Sequence, residues 1–232
     1  MKKNTRTIFA LALLCAAMST ASLASSLYIV QGIPGRDFAE ATDPAFPVDI
    51  LLNDEVCYVH GLVFGTISGP LTFFPGTHNI KVSMANTLAP CSETPLIEST
   101  VTVDARQDLS AVITLDPNGK PALVTFVNNL TPVAAGMGRF LLAQAADAST
   151  LQITLQNTVT NKVYKYTVKP GALLDATLPA GNYVASISEG TTTLVTASPI
   201  QLSSQSATLA YTIGQAANNT VELVNRSIRD VI

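Results

Sequence analysis

Apolar and polar residues alternate along most of the chain beyond residue 25, in short runs separated by turn residues. Val48, Ile50 and Leu52, for example, fall on one side of an extended segment, because successive side chains of a strand point to opposite faces. Turn-forming residues separate the runs, as in "NDE" at 53–55 and "DPNGKP" at 116–121. Residues 53 and 54 match the chemistry of a β-hairpin turn. The pattern predicts an all-β fold built from short strands.

The same pattern occurs twice. The stretch "FFPGTHNIKVS" at 73–83 resembles "TLPAGNYVASIS" at 177–188, and the match extends in both directions when Gly76 is aligned with Gly181. In this alignment His78 takes the place of Tyr183. A repeat of this length indicates duplicated domains and not the turns of a solenoid.

The repeat predicts two tandem immunoglobulin-like β-sandwiches, each of about 90 residues and seven strands. The first spans residues 25–118 and the second, more diverged one spans residues 119–214, opening with "ALVTFVNN". The tail, residues 215–232, supports two interpretations. The stretch "TVELVNRS" resembles "ALVTFVNN" and favours an extra strand, whereas Val221, Val224 and Ile228 are spaced as on a helix.

Residues 1–24 have the features of a signal peptide, with a basic start, a short apolar run and small residues before a cleavage site after Ala24. A membrane anchor would need about 20 apolar residues, and serine and threonine crowd the end of this run. Attachment of lipid at Cys15 would require a small residue before it, where Leu14 stands. We therefore expect export to the periplasm, the cell surface or the medium.

Removal of residues 1–24 leaves 10 basic against 16 acidic residues, a net charge of −6. This balance argues against nucleic acid or an anionic membrane as partner, since both require clustered Lys and Arg. No membrane span is predicted in the mature chain. Cys57 and Cys91 remain, and two cysteines in an exported chain favour a disulfide. Two separate buried thiols are the alternative.

The first copy consists of an opening strand "SLYIVQGIPG", then "PVDILLND", "VFGTISGPLTFFPG" and "PLIESTVTV". In this order of motifs it resembles the bacterial DUF4397 family, and the resemblance covers residues 27–118 more closely than 119–214. Asp49 and Gly76 match positions that the family favours, and the second copy has Gln152 in place of Asp49. The resemblance implies an extracytoplasmic immunoglobulin-like fold, and no catalytic residues are established for that family.

The two histidines, His60 and His78, do not form a zinc-binding pattern, which needs three or four ligands at short spacings. Ser68 in "GTISG" does not fit the turn that presents a hydrolase serine. Asp49 is expected to make a surface or turn hydrogen bond. A hydrolase would require His60, His78 and Asp49 to converge in one pocket. We therefore predict no catalytic residues, no metal site and no cofactor.

The expected function is that of a non-enzymatic structural or cell-surface interaction module, with a protein or glycan partner outside the cytoplasm. The alternative is a module that binds a glycan or small ligand, either in the groove between the domains or at residues 134–147, which resemble a loop inserted into the second copy. The candidate ligand contacts are Phe73, Phe74, Arg139 and Phe140. Of the adjacent pair Phe73 and Phe74, one side chain should face inward and the other outward.

Overall fold

The structure is a computed structural model that describes residues 24–38 and 43–228. These residues form sixteen β-strands and one short 3-10 helix, Gly35–Asp37. The predicted signal peptide lies outside the described residues, apart from Ala24.

The strands form two groups of eight. The first group contains β1 (Ser25–Gln31), β2 (Val48–Leu52), β3 (Val56–Leu62), β4 (Ile67–Phe73), β5 (Gly76–Met84), β6 (Pro95–Val103), β7 (Asp108–Leu115) and β8 (Pro121–Asn128). The second group contains β9 (Met137–Gln144), β10 (Leu151–Asn157), β11 (Val163–Val168), β12 (Leu173–Pro179), β13 (Gly181–Glu189), β14 (Thr192–Leu202), β15 (Ala207–Ile213) and β16 (Glu222–Ile228).

Each group folds into a sandwich of two four-stranded sheets. In the first unit the strand orders are β4-β1-β7-β8 and β3-β2-β5-β6, and in the second unit they are β12-β9-β15-β16 and β11-β10-β13-β14. The second unit therefore repeats the topology of the first, including a parallel pair, β1 with β7 and β9 with β15. The predicted all-β fold of two tandem sandwiches is confirmed, with eight strands in each unit and not seven.

The eighth strand changes where the units meet. The stretch "ALVTFVNN" at 122–129 was expected to open the second unit. Instead, β8 pairs with β7 from Asp108↔Asn128 to Leu115↔Pro121 and so completes the first sheet. β16 pairs with β15 in the same way, which makes residues 222–228 a strand and not a helix. The two segments resemble each other because each forms the last strand of its unit.

Residues 134–147 are not an inserted loop. Most of this stretch is β9, which pairs in parallel with β15 as β1 does with β7. It is the counterpart of β1, and the expectation of a loop here was wrong. The strand shows no alternation because both of its faces are covered, and strands in that position have nearly continuous apolar runs.

Three apolar cores hold the molecule together. The first lies between the two sheets of the first unit, and the second lies between the two sheets of the second unit. The third lies between the units, where the sheets containing β1 and β9, which we call the central sheets, pack against each other. It includes Tyr28, Val30, Val112, Leu141, Leu209 and Tyr211. All residues of β15 and all but the first of β7 are buried, so the two sandwiches form one packed body.

The hairpin between β2 and β3 confirms the predicted turn. Asn53 and Asp54 have φ values of +51° and +59°, which is the left-handed pair that a type I′ turn requires. Such a turn matches the twist of the strands that it joins.

Candidate functional site

A cleft of about 840 Å³ opens at one end of the first unit's central sheet. Its walls come from the start of β1, the β6–β7 turn, the end of β8 with the connection that follows, and the last residue of β16. The lining residues are Ser26, Tyr28, Pro70, residues 104–108, residues 127–132 and Ile228. The volume falls within the usual range for small-molecule sites, about 300–1,000 Å³.

The β6–β7 turn is fastened to β1 by hydrogen bonds. The Ser25 hydroxyl donates to the Asp104 carbonyl at 2.8 Å, and its oxygen accepts from the Gln107 N–H at 3.0 Å. Arg106 adopts a φ of +59°, which reverses the chain. These bonds hold the polar turn against the cleft.

Asp108 is the cleft's perturbed carboxyl group. Its partial burial raises its pKa above the ordinary value, although hydrogen bonds from the Ser26 side chain and backbone oppose that rise. Tyr28, beside it on β1, also has a raised pKa, mainly through burial and then through the charge of Asp108, while Arg226 acts in the opposite direction. Titratable groups that lie in a cleft and have shifted pKa values are typical of functional sites.

A chain of buried polar groups runs from the cleft into the core between the units. Asn128, which lines the cleft, donates to the Ser110 hydroxyl at 2.8 Å. Ser110 in turn lies 2.6 Å from the Tyr211 hydroxyl of the second unit. Burial raises the pKa of Tyr211, so it remains protonated and available for this bond. The chain joins one wall of the cleft to the other sandwich.

A second polar cluster fixes the connection between β8 and β9. Arg139 makes an ion pair with Asp175 at 2.7 Å and donates to the Thr131 hydroxyl at 3.0 Å. Asn129 donates to the same carboxylate of Asp175 at 2.8 Å. Arg139, one of the candidate ligand contacts, is therefore engaged in holding the cleft wall.

The other candidate contacts do not line the cleft. Phe140 is fully buried in the core of the second unit and so does not present a ligand surface. Phe73 is buried in the core of the first unit, whereas Phe74 is 71% exposed. The expectation that one of this pair faces inward and the other outward is confirmed.

Asp49 has a structural environment that differs from the one expected. Its neighbours Val48 and Ile50 face the core, so its side chain points to the other face, as predicted. It is nevertheless 1% exposed, because the loop of residues 85–94 covers it. Its carboxylate accepts three backbone N–H bonds, from Gly61 at 2.9 Å, Asn86 at 3.0 Å and Cys91 at 2.9 Å. The expected turn hydrogen bond of Asp49 is therefore present, to the 85–94 loop, whereas the expected surface position is wrong.

His78 occupies the role that Tyr183 has in the second unit. The His78 ring nitrogen lies 2.9 Å from the carbonyl of Phe74, four residues earlier, and the Tyr183 hydroxyl donates at 2.7 Å to the carbonyl of Pro179, also four residues earlier. This contact resembles the tyrosine corner of immunoglobulin-like sandwiches. It explains why an aromatic or imidazole ring occupies both positions.

The residues that a hydrolase would need do not come together. Asp49 lies opposite Ser83 in the sheet, and His78 is five residues further along β5, about 16 Å at the usual rise of a strand. His60 is exposed on β3. Asp49 binds the three backbone N–H groups named above, whereas His78 contacts the Phe74 carbonyl and, at 3.3 Å, the Asn53 amide. Neither histidine lines the cleft.

The predicted bond between Cys57 and Cys91 is present, with Cα atoms 5.7 Å apart. It joins edge strand β3 to the 85–94 loop that covers Asp49. Within the residues that the structure describes, no three His, Cys, Asp or Glu side chains are grouped so as to hold a metal ion. Over the same residues, no helix has the length and apolar character needed to cross a membrane.

The sequence pattern gave little indication of the cleft, since its walls come from segments distant in sequence. One usable feature was Ser110, a polar residue within the apolar run "DLSAVITL" of β7. A buried polar residue in such a strand requires a hydrogen-bond partner. That partner is Tyr211, about a hundred residues away, and the pairing of β7 with β8 supplies Asn128.

Comparison with known protein families and solved structures shows what this chain resembles. No curated protein matches the chain. One similar solved structure, the Bacillus anthracis TIE protein, is 11% identical, with 83% of this chain and 33% of that chain covered and a TM-score of 0.27. This chain thus spans about a third of that protein. The profile of a family described as a domain of unknown function, DUF4397, matches residues 37–154, from the 3-10 helix into β10 and across the junction of the two units. Because that match covers just over half of the chain, the protein belongs to the DUF4397 family.

Proposed function

We propose that the protein is an exported, non-enzymatic interaction module that binds a hydroxyl-rich ligand, such as a glycan, in the cleft. The observation that carries this proposal is the cleft itself, which opens at one end of the first unit's central sheet, includes Ile228 of the second unit in its wall and is lined by groups able to hydrogen-bond a ligand. A site with rigid walls loses little conformational entropy on binding.

The chemistry of the lining supports a ligand with many hydroxyl groups. Asp104 and Asp108 supply acceptors, and the Gln107 amide supplies a donor. The amides of Asn128 and Asn129 hold the wall in place through their bonds to Ser110 and Asp175. Val127, Leu130 and Ile228 supply apolar wall. Hydroxyl groups satisfy such mixed donors and acceptors, and the apolar wall packs against C–H groups of a sugar ring.

Two features support export, and the composition of the cleft supports a role without catalysis. The N-terminal residues have the composition of a signal peptide, and the Cys57–Cys91 bond fits an oxidising compartment. The described residues that line the cleft include neither His nor Cys. Ser26 hydrogen-bonds to Asp108, and the cleft lining contains no histidine to form a serine–histidine pair with it.

The test fills the cleft by substitution. Val127 is 55% exposed on β8 and lines the cleft, and Val159 is 81% exposed at the β10–β11 turn, outside it. V127W should occupy the cleft, and V159W is the matched control with the same added bulk. Both variants and the wild type, purified in the oxidised form, would be screened on an array of soluble glycans.

We expect wild type and V159W to bind the same glycans and V127W to lose at least about tenfold in affinity, which corresponds to about 1.4 kcal/mol. If V127W bound the glycans as tightly as wild type does, the binding surface would lie outside the cleft, and the proposed site would be overturned. Failure of the wild type to bind any glycan would overturn the proposed ligand class and favour a purely structural role. Thermal unfolding of each variant would establish that it is folded.

A further inference from the structure

Strand β11 forms one edge of the sheet β11-β10-β13-β14. It is hydrogen-bonded to β10 alone, in unbroken register from Leu151↔Val168 to Gln156↔Val163. It contains no proline and no bulge, two of the devices that protect an edge from a further strand, although it carries a third, the exposed Lys165. Its outer side therefore has the geometry that an incoming strand requires.

Other edges of the molecule carry such devices. β4 contains Pro70 after a cis peptide bond, β3 has two register shifts and the disulfide, and β14 contains Pro199 with two register shifts. β6 lies against β8, and β16 lies against both β14 and β4. β12 also pairs in unbroken register, with β9, but it ends in Pro179. β11 differs from these edges in combining an unbroken register with the absence of proline.

The hydrogen-bonding pattern identifies which backbone groups of β11 point outward. The Asn157 N–H donates to the Lys162 carbonyl at 2.9 Å, and hydrogen-bonded pairs alternate along antiparallel strands. Tyr164, Tyr166 and Val168 thus direct their backbone groups toward β10. The N–H and C=O groups of Val163, Lys165 and Thr167 point away from the sheet. The bond from the Thr158 N–H to the Asn182 carbonyl, on the other side of β10, agrees with this alternation.

The same edge is positively charged in an otherwise acidic protein. Lys162, Lys165 and Lys169 lie at or beside β11, and residues 148–174 contain no Asp or Glu. Lys165 is exposed on the outer face of the sheet, opposite the uncharged Thr154. The mature chain carries an expected net charge of −6, so these lysines form a local field of opposite sign that attracts anionic partners.

The side chains of β11 also alternate in character. Tyr164 and Tyr166 are half-buried and face the sandwich core, opposite Leu155 and Ile153, whereas Lys165 and Thr167 face outward. A strand added beside β11 would place alternate side chains next to the tyrosine rings and the others next to Lys165. The matching sequence alternates apolar and acidic residues, because opposite charges on neighbouring strands are favourable.

We propose that β11 binds an acidic, extended peptide segment of a partner protein as an additional strand of its sheet. Main-chain hydrogen bonds to Val163, Lys165 and Thr167 provide affinity, and the lysines select an acidic sequence. A second copy of the protein is a poorer occupant, since antiparallel pairing of two β11 strands brings the Lys165 side chains of the two copies close together. This surface is independent of the cleft.

The test uses two fluorescent, strand-length peptides, one alternating Val and Glu and one alternating Val and Lys. Binding to the full oxidised protein would be measured by fluorescence anisotropy at low salt. T167P removes an outward N–H that makes no bond within the sheet, a change that edge strands tolerate, and T167V is its matched control. K165E reverses the charge at the centre of the edge, and K120E, in the β7–β8 turn, is the control for net charge.

We expect the Glu peptide to bind wild type, T167V and K120E at least about tenfold more tightly than the Lys peptide does. T167P should lose most of this binding, and K165E should abolish or reverse the preference. Because K165E leaves the backbone intact, it decides the outcome even if T167P fails to fold. Equal binding of the two peptides, no binding of either, or unchanged binding by T167P would overturn the proposal. A wild-type dimer that T167P dissociates, seen by sedimentation, would replace the peptide with a second copy as occupant.

Discussion

Asp49 shows how a single buried carboxylate organises a surface loop. Its two oxygens satisfy three backbone N–H groups, one from β3 and two from the 85–94 loop. D49A would leave these N–H groups without their acceptor, and we expect a loss of about 2–4 kcal/mol in the free energy of unfolding. Urea denaturation of the oxidised protein measures the loss.

The matched control for D49A is Q152A, because Gln152 occupies the equivalent position in the second unit and is exposed. Its removal should change stability by no more than about 0.5 kcal/mol. If D49A and Q152A proved equally mild, the three hydrogen bonds would not be holding the loop.

Asp108 is expected to reduce stability at neutral pH. Its folded pKa is raised by burial, so the folded state binds its proton more tightly than the unfolded state does. Stability from this group is present below the unfolded pKa and is lost as the pH rises through the folded pKa. The free energy of unfolding of D108N should therefore rise relative to that of wild type between about pH 3 and pH 7. The rise should be less than about 1 kcal/mol, because solvent screens the half-exposed carboxyl.

Asp116 provides a control of opposite sign for D108N. Hydrogen bonds from the backbone N–H groups of Lys120 and Asn118 lower the pKa of Asp116, so D116N should lose stability relative to wild type over the same rise in pH. Urea denaturation at both pH values measures the two differences. A D108N difference that stayed constant with pH, or changed like that of D116N, would contradict the environment assigned to Asp108.

Local patterns predicted the residues whose roles depend on their immediate neighbours. The Asn53–Asp54 turn follows from the tolerance of these residue types for left-handed φ, and the opposite orientations of Phe73 and Phe74 follow from strand geometry. The burial of Asp49 could not be inferred in this way. It depends on a loop about forty residues away, which alternation along β2 does not reveal.

At the scale of elements, the 85–94 loop is held twice, by Asp49 and by the Cys57–Cys91 bond. Replacing both cysteines by serine should cost about 3–4 kcal/mol, from the chain entropy of a 34-residue separation. Once the loop is released, it can leave Asp49 and expose its N–H groups to water. D49A should then cost about 1 kcal/mol less in the double-serine protein than in the oxidised one. A double-mutant cycle of urea midpoints measures this coupling, and strict additivity would show that the two contacts act separately.

Strand β9 shows which elements the alternating pattern could not identify. Its sequence "MGRFLLAQ" has five consecutive buried residues at its C-terminal end, since one face packs into the second unit and the other against the first. Alternation marks strands with one wet face, such as β10. Strands of the two sheets that face solvent, such as β2 and β10, were thus predictable, whereas strands of the central sheets, such as β9, were not.

At the scale of the whole molecule, the core between the units should make the two sandwiches unfold together. Val112 is fully buried in that core with Tyr28 and Val30, and Leu141, Leu209 and Tyr211 face them from the other unit. Separating the units would expose this surface to water and leave Ser110 without Tyr211. Neither sandwich should therefore persist once the other has unfolded, and calorimetry should show one transition with equal calorimetric and van't Hoff enthalpies.

A cavity in this shared core distinguishes one cooperative body from two independent domains. V112A removes two buried methyl groups at the interface and should cost about 1–3 kcal/mol. Because both units depend on the same contact, the single transition should move to lower temperature as a whole and keep its shape. V184A, on the exposed face of the second unit's outer sheet, should leave the transition almost unchanged. Two resolved transitions, of which V112A shifts only one, would mean that the sandwiches fold separately, and Ile228 of the second unit would then no longer be held in the cleft wall.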